Sequence, residues 1–175
     1  VKKIFLLLLL LLNISCAGTK FYLFGVDTDV IKDATRGEIL EAAAGAVVSM
    51  GTHVAGHYLL AEIFDVEIHQ DGRREVVDSY ESDSDVRWFA RGGFLLQSIV
   101  STSLTSLETT RHSYFTKGYV LTTAISIWSY PLRYGSDGDY GCLDDHGGNW
   151  ELEYGIYSAV ALHNMLRVPW KKDSQ

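Results

Sequence analysis

The sequence predicts a mainly α protein: a bundle of about four apolar helices with a small β-hairpin after the first long helix. Long stretches poor in charge, Glu38 to Phe64, Gly92 to Leu107 and Gly118 to Leu132, supply the helices. An Asp71-Gly72 pair between alternating segments supplies the hairpin. At 175 residues the chain has room for one compact domain around one core. The sequence permits that bundle to sit in a membrane or in water.

The elements follow in order. Val1-Lys2-Lys3 is basic, and Ile4 to Leu12 is an unbroken apolar run of nine residues. A span needs about 20 residues, so this run fits a secretory leader instead. Leu11 to Gly18 places a small residue before Cys16, which resembles a bacterial lipoprotein cleavage site with Asn13 where leucine is usual. Lipidation at Cys16, plain cleavage and an uncleaved anchor are the three outcomes, and each places the protein at the cell envelope, exported or membrane-anchored. Residues 1–16 are thus expected to be a leader, 17–36 a linker, 37–168 the helical domain and 169–175 a polar tail.

Within the linker, Lys20 to Val30 reads as a short strand or a docking segment. Thr35 with Glu38 three residues on is a capping box, opening a helix that runs through alanine-rich sequence to Phe64. At about 27 positions it is long enough to cross a bilayer, and Gly45, Ser49, Gly51 and Gly56 allow close packing along it. The hairpin comes next, followed by helices over Val86 to Leu107 and Tyr114 to Leu132, the second stopped by Pro131. Their uncharged cores are 16 and 15 residues long, short for lipid and ample for an aqueous bundle. Arg133 to Gly148 is rich in glycine and aspartate and reads as a loop. A last helix covers about Asn149 to Arg167.

Composition excludes some functions. A net charge of -7 lacks the basic footprint that phosphate binding needs, so no nucleic-acid partner is expected. Eight acids between Asp65 and Asp85 read as a solvated face. Mean hydropathy of +0.04 is low for a four-span protein, and Ser101, Thr102, Ser103, Thr105 and Ser106 make one helix polar for lipid. Cys142 is the only cysteine beside Cys16 and reads as a half-buried thiol or a metal ligand. No phosphate-binding glycine loop, nucleophile elbow or Cys-x-x-Cys is present.

The chemistry-bearing feature is His53-Val54-Ala55-Gly56-His57. Two histidines four apart share one helix face and can reach one ion. They can equally be hydrogen-bonded core residues. Candidates for the remaining ligands are Asp144, Asp145 and His146, which otherwise read as turn and capping chemistry.

The segment Ala55-Gly56-His57 with Phe64-Asp65-Val66 resembles the site-2 protease family of intramembrane zinc metalloproteases. In that family the metal helix reads His-Glu-x-Gly-His, with Phe-Gly-Val before a strand. Ala90 to Gln97 is similar to a glycine-containing helix opening of the family. Leu143 to Asn149 is similar to its Leu-Asp-Gly-Gly segment, which carries the third ligand. The resemblance covers roughly residues 40 to 165 and implies a zinc site. Val54 stands where the family keeps the glutamate that takes a proton from the zinc-bound water. The expectation is therefore a membrane-associated, degenerate relative that binds metal or a protein or peptide ligand without efficient proteolysis. Activity would require a relocated general base. The competing expectation is an exported lipoprotein with a structural or protein-binding helical domain and no metal.

Overall fold

The computed structural model describes residues 22–23, 26–27, 34–71, 74–133 and 138–170. The expected leader and polar tail lie outside the described residues, apart from 169 and 170. Most of the linker does too. Its described part includes two short strands, β1 (Tyr22–Leu23) and β2 (Val26–Asp27), which pair antiparallel.

The domain is mainly helical, as its apolar stretches predict. Helix α1 (Arg36–Ile63) begins where the capping box places it: the Glu38 amide donates to Thr35 Oγ1 at 3.3 Å, and the Thr35 amide donates to Glu38 Oε2 at 2.6 Å. At its other end, Asp65 takes a left-handed conformation (φ 52°) and the Val66 amide returns to the Ala61 carbonyl at 2.9 Å. That is a Schellman-type stop, and an aspartate tolerates the left-handed position better than most residues. The turn directs the chain into strands β3 (Glu67–Asp71) and β4 (Arg74–Ser79), the expected antiparallel hairpin, with a bulge between Glu67 and Ile68. The hairpin's half-buried Ile68 and Val77 pack on Ala61, Val66 and Phe89.

Helix α2 (Asp83–Ser106) and helix α4 (Tyr114–Ser129) are joined by the single turn α3 (Glu108–Arg111). A 3-10 turn at Tyr130–Arg133 carries Pro131 and ends α4 three residues before the expected boundary. Helix α6 (Trp150–Arg167) closes the bundle, with Asn149 Oδ1 capping the Leu152 amide at 3.0 Å.

One element departs from expectation. The glycine- and aspartate-rich stretch read as a loop contains a two-turn helix, α5 (Asp139–Asp145). Tyr140 and Leu143, three apart, are both buried in the main core with Phe94, Ile127, Tyr157 and Met165. Burial of that pair supplies the helix that local composition argues against.

The packed faces explain the small and polar residues. Gly45 of α1 meets the Phe115 backbone, and Gly118 of α4 meets the Ala42 backbone. Gly56 of α1 and Gly92 of α2 meet in the same way. Of the Ser/Thr run of α2, Ser101, Thr102 and Thr105 face inward, while Ser103 and Ser106 are exposed: buried Asn164 of α6 donates to Ser101 Oγ and Thr102 Oγ1, both at 3.1 Å, and accepts from Thr105 at 3.0 Å. Those hydroxyls are satisfied, so their burial is not penalised.

The other side of α1 has no such cover. Val47, Val48, Met50, Val54, Tyr58, Leu59 and Ile63 are exposed. The helix is long and apolar enough to cross a membrane, and only 17% of its most apolar 18-residue window is buried within the fold.

Candidate metal centre

The histidines of α1 face α2. His57 is buried and His53 is half-buried, with ring centroids 4.8 Å apart. They fit there because Gly93 of α2 has no side chain: a Cβ at that position would collide with both imidazoles. An aromatic ring lies against each imidazole, Phe94 against His53 at 4.8 Å and Phe89 against His57 at 5.1 Å.

The third member comes from α5. Asp139, its first residue, places Oδ2 at 3.2 Å from His53 Nε2 and Oδ1 at 3.4 Å from His57 Nε2. The two Nε2 atoms are 3.2 Å from one another. Tyr130 steadies the carboxylate's backbone, since the Asp139 amide donates to its hydroxyl. His53, His57 and Asp139 form the one group of metal-ligating side chains among the described residues that could hold a metal ion.

Hydrogen bonding decides what this group can accept. His57 Nδ1 lies 2.9 Å from the Phe89 carbonyl, which can only accept, so Nδ1 carries the proton. His53 Nδ1 lies 3.2 Å from Gln97 Oε1. In the neutral rings both Nε2 atoms are therefore lone pairs, aimed at each other and at a carboxylate. Asp139 Oδ2 is buried with no hydrogen-bond donor. With both rings neutral, three acceptors converge and no donor answers them, an unfavourable arrangement that a metal ion, or a proton on one Nε2, relieves. Burial pushes the Asp139 carboxyl upward in pKa. The facing imidazoles, when charged, outweigh that and hold it below the usual carboxylate range.

The other sequence candidates lie elsewhere. Asp144 and Asp145 are exposed at the far end of α5. His146 Nδ1 is tied to Asp83 Oδ1 at 2.8 Å, with Tyr80 edge-on to its ring at 5.3 Å. The structure brings His53 and His57 together with Asp139 and leaves Asp144, Asp145 and His146 out of the group. Val54 is exposed and offers no carboxylate, and Glu41 and Glu62 are exposed on α1.

Cys142 sits one turn after Asp139 and is not in the group. Burial first, then the charges of Asp139 and Asp145, push its thiol up to about 11. At pH 8 its thiolate fraction should be about 100-fold below that of an ordinary cysteine. Native protein is expected to react slowly with a chromogenic disulfide reagent, and denatured protein at the ordinary rate. Equal rates would refute the buried thiol.

The chain matches no protein-family model, no curated protein and no solved structure.

Proposed function

We propose that this chain is a membrane-associated zinc-binding protein, built like a site-2-type metalloprotease but lacking its proton-transferring glutamate. It holds metal, and through it a protein or peptide ligand, without efficient proteolysis. The observation that carries the reading is the convergence of three side chains: the two Nε2 atoms lie 3.2 Å apart and face one carboxylate, whose Oδ2 is 3.2 Å from His53 and whose Oδ1 is 3.4 Å from His57. With one ligand atom taken from each residue, the three lie within 4.8 Å of one another, and a small movement of the Asp139 carboxylate would bring them to the separation of about 3.3–3.4 Å that tetrahedral zinc with bonds of about 2.0–2.1 Å requires. Three protein ligands leave the fourth position open. Two imidazoles and one carboxylate form the donor set of catalytic rather than structural zinc sites.

Each ligand has its support. The Phe89 carbonyl orients His57, Gln97 orients His53 and Tyr130 holds the Asp139 backbone. Zinc bound there would polarise a carbonyl. A neighbouring valine cannot move the proton that hydrolysis requires, and loss of a general base costs about 10²- to 10⁴-fold in rate. Asp139 is no substitute, because both its oxygens face the histidines.

The apolar outer face of α1 supports membrane association. Ala42 to Ala61 carries no Asp, Glu, Lys or Arg, and Glu41 and Glu62 flank it. Twenty helical residues are about 30 Å long, the thickness of a bilayer's hydrocarbon core.

Protein purified without chelators should contain close to one zinc per chain and sediment with membranes after a carbonate wash. It should cleave unfolded or membrane-embedded substrates far more slowly than an intact protease. Metal-free protein that resists reconstitution would overturn the zinc assignment and leave a structural or protein-binding helical domain. Release by carbonate would overturn the membrane assignment.

A further inference from the structure

The site's need for a cation depends on one neutral side chain. Gln97 of α2 is 1% exposed, and its amide bridges two helices. On one side Oε1 faces His53 Nδ1 at 3.2 Å. On the other, Nε2 donates to the Ser49 carbonyl at 2.9 Å and to Ser49 Oγ at 3.0 Å. Ser49 Oγ in turn meets Thr123 Oγ1 of α4 at 2.9 Å. The ladder Asp139, His53, Gln97, Ser49, Thr123 thus crosses four helices.

Direction along that ladder is set from the Ser49 end. A main-chain carbonyl only accepts, so the Gln97 NH2 group must face it. The amide cannot flip without opposing its own oxygen to the Ser49 carbonyl. Its oxygen is thereby turned to His53, and that oxygen requires a proton on Nδ1. With Nδ1 protonated, Nε2 is a lone pair pointing at His57 and Asp139. Were the proton on Nε2 instead, His53 could donate to Asp139 and the group would satisfy itself with no ion. His57 is locked by a main-chain carbonyl, which no side-chain substitution removes. At His53 the same task falls to a replaceable side chain.

We propose that Gln97 is a positioning residue that fixes His53 in the Nδ1-protonated tautomer and so keeps the site receptive to a metal ion. The proposal rests on the zinc reading for its consequence, but the tautomer itself exists in metal-free protein. It acts through His53 and touches neither the metal nor a substrate.

The test uses full-length protein labelled with 15N at histidine. In metal-free wild type, long-range 1H–15N spectra at a pH where His53 is neutral should show the Nδ1-H form. Gln97→Met, close in volume and without an acceptor, should convert His53 to the Nε2-H form and weaken zinc binding about 10- to 100-fold. Gln97→Glu, protonated in this buried setting so that one oxygen donates to the Ser49 carbonyl, keeps an acceptor toward Nδ1 and should recover the wild-type tautomer and an affinity within about threefold of wild type. Thr123→Val, at the far end of the ladder, should leave both within about threefold. A structural role alone would let Thr123→Val and Gln97→Met fall together, with no rescue by Gln97→Glu. An unchanged His53 tautomer in Gln97→Met overturns the proposal. Should Gln97→Met fail to fold, an Nε2-H form in wild type overturns it equally, and the Nδ1-H form in wild type and Gln97→Glu sustains it. Failure of wild type to bind zinc, with the tautomer as stated, would count against the metal reading alone.

Discussion

Replacing His57 with alanine is expected to weaken zinc binding by on the order of 10²- to 10³-fold, if a protein–zinc bond contributes about 3–4 kcal/mol of the 10–16 kcal/mol measured for four-ligand sites. His53→Ala and Asp139→Ala should lose comparable affinity, because each of the three residues supplies one ligand atom and none is redundant. Competition against a chromogenic chelator reads the constants, and circular dichroism checks that each variant keeps its helices. The decisive contrast is within α5. Asp144→Asn, Asp145→Asn and His146→Ala should leave zinc affinity within about threefold, since these residues lie outside the group. His146→Ala loses its pair with Asp83, whose side chain is 62% exposed, so at most about 1 kcal/mol of stability is at stake. Zinc loss in His146→Ala with retention in Asp139→Ala would replace the assigned ligand with the one the sequence suggested.

That contrast also marks how far the sequence could be read. The helical class, the capping box at Thr35 and Glu38, the hairpin after α1 and the start of the last helix near Asn149 were legible because each is a local matter of periodicity, spacing or turn chemistry. The histidine pair was legible for the same reason, both members lying on one helix face four residues apart. Asp139 was not. It lies 82 residues beyond His57, in a stretch whose glycines and aspartates favour a loop. Only the burial of Tyr140 and Leu143 against α2, α4 and α6 makes that stretch helical and turns its first residue toward the histidines. The Tyr140 and Leu143 spacing was the available signal, a short apolar face beginning immediately after an aspartate. The support of His53 was equally out of reach, since Gln97 is a neutral residue on another helix and gains its role from contact with Ser49 and Thr123. Glycines 92 and 93 were visible as a small-residue pair, but their separate tasks, backing Gly56 and leaving room for the imidazoles, require the helix crossing itself.

The same crossings predict opposite outcomes for glycine-to-alanine changes within one bundle. Gly118→Ala places a methyl group against the Ala42 backbone carbonyl, and Gly45→Ala places one against the Phe115 carbonyl. Main chain cannot rotate away as a side chain could, so α1 and α4 must separate over their shared face. Overpacking of this kind costs about 1–3 kcal/mol and occasionally more, against a total stability of about 5–15 kcal/mol. At about 2–4 °C per kcal/mol for a chain of this size, Gly118→Ala should melt roughly 2–12 °C lower. Gly51→Ala and Gly155→Ala occupy helix interiors where an added Cβ meets nothing within 4 Å. There alanine should raise stability by about 0.5–1 kcal/mol, because it gives up less backbone freedom on folding than glycine. Thermal melts of the four variants by circular dichroism, in one detergent and at one protein concentration, read the sign directly. A stabilised Gly118→Ala would mean that α1 and α4 do not approach as closely as their backbones indicate. The candidate metal site would feel the separation too, since α1 carries both histidines and meets Asp139 only through the packing of the whole bundle. Gly118→Ala should therefore lose some zinc affinity although residue 118 touches no ligand, while Gly51→Ala, two residues before His53, should lose none.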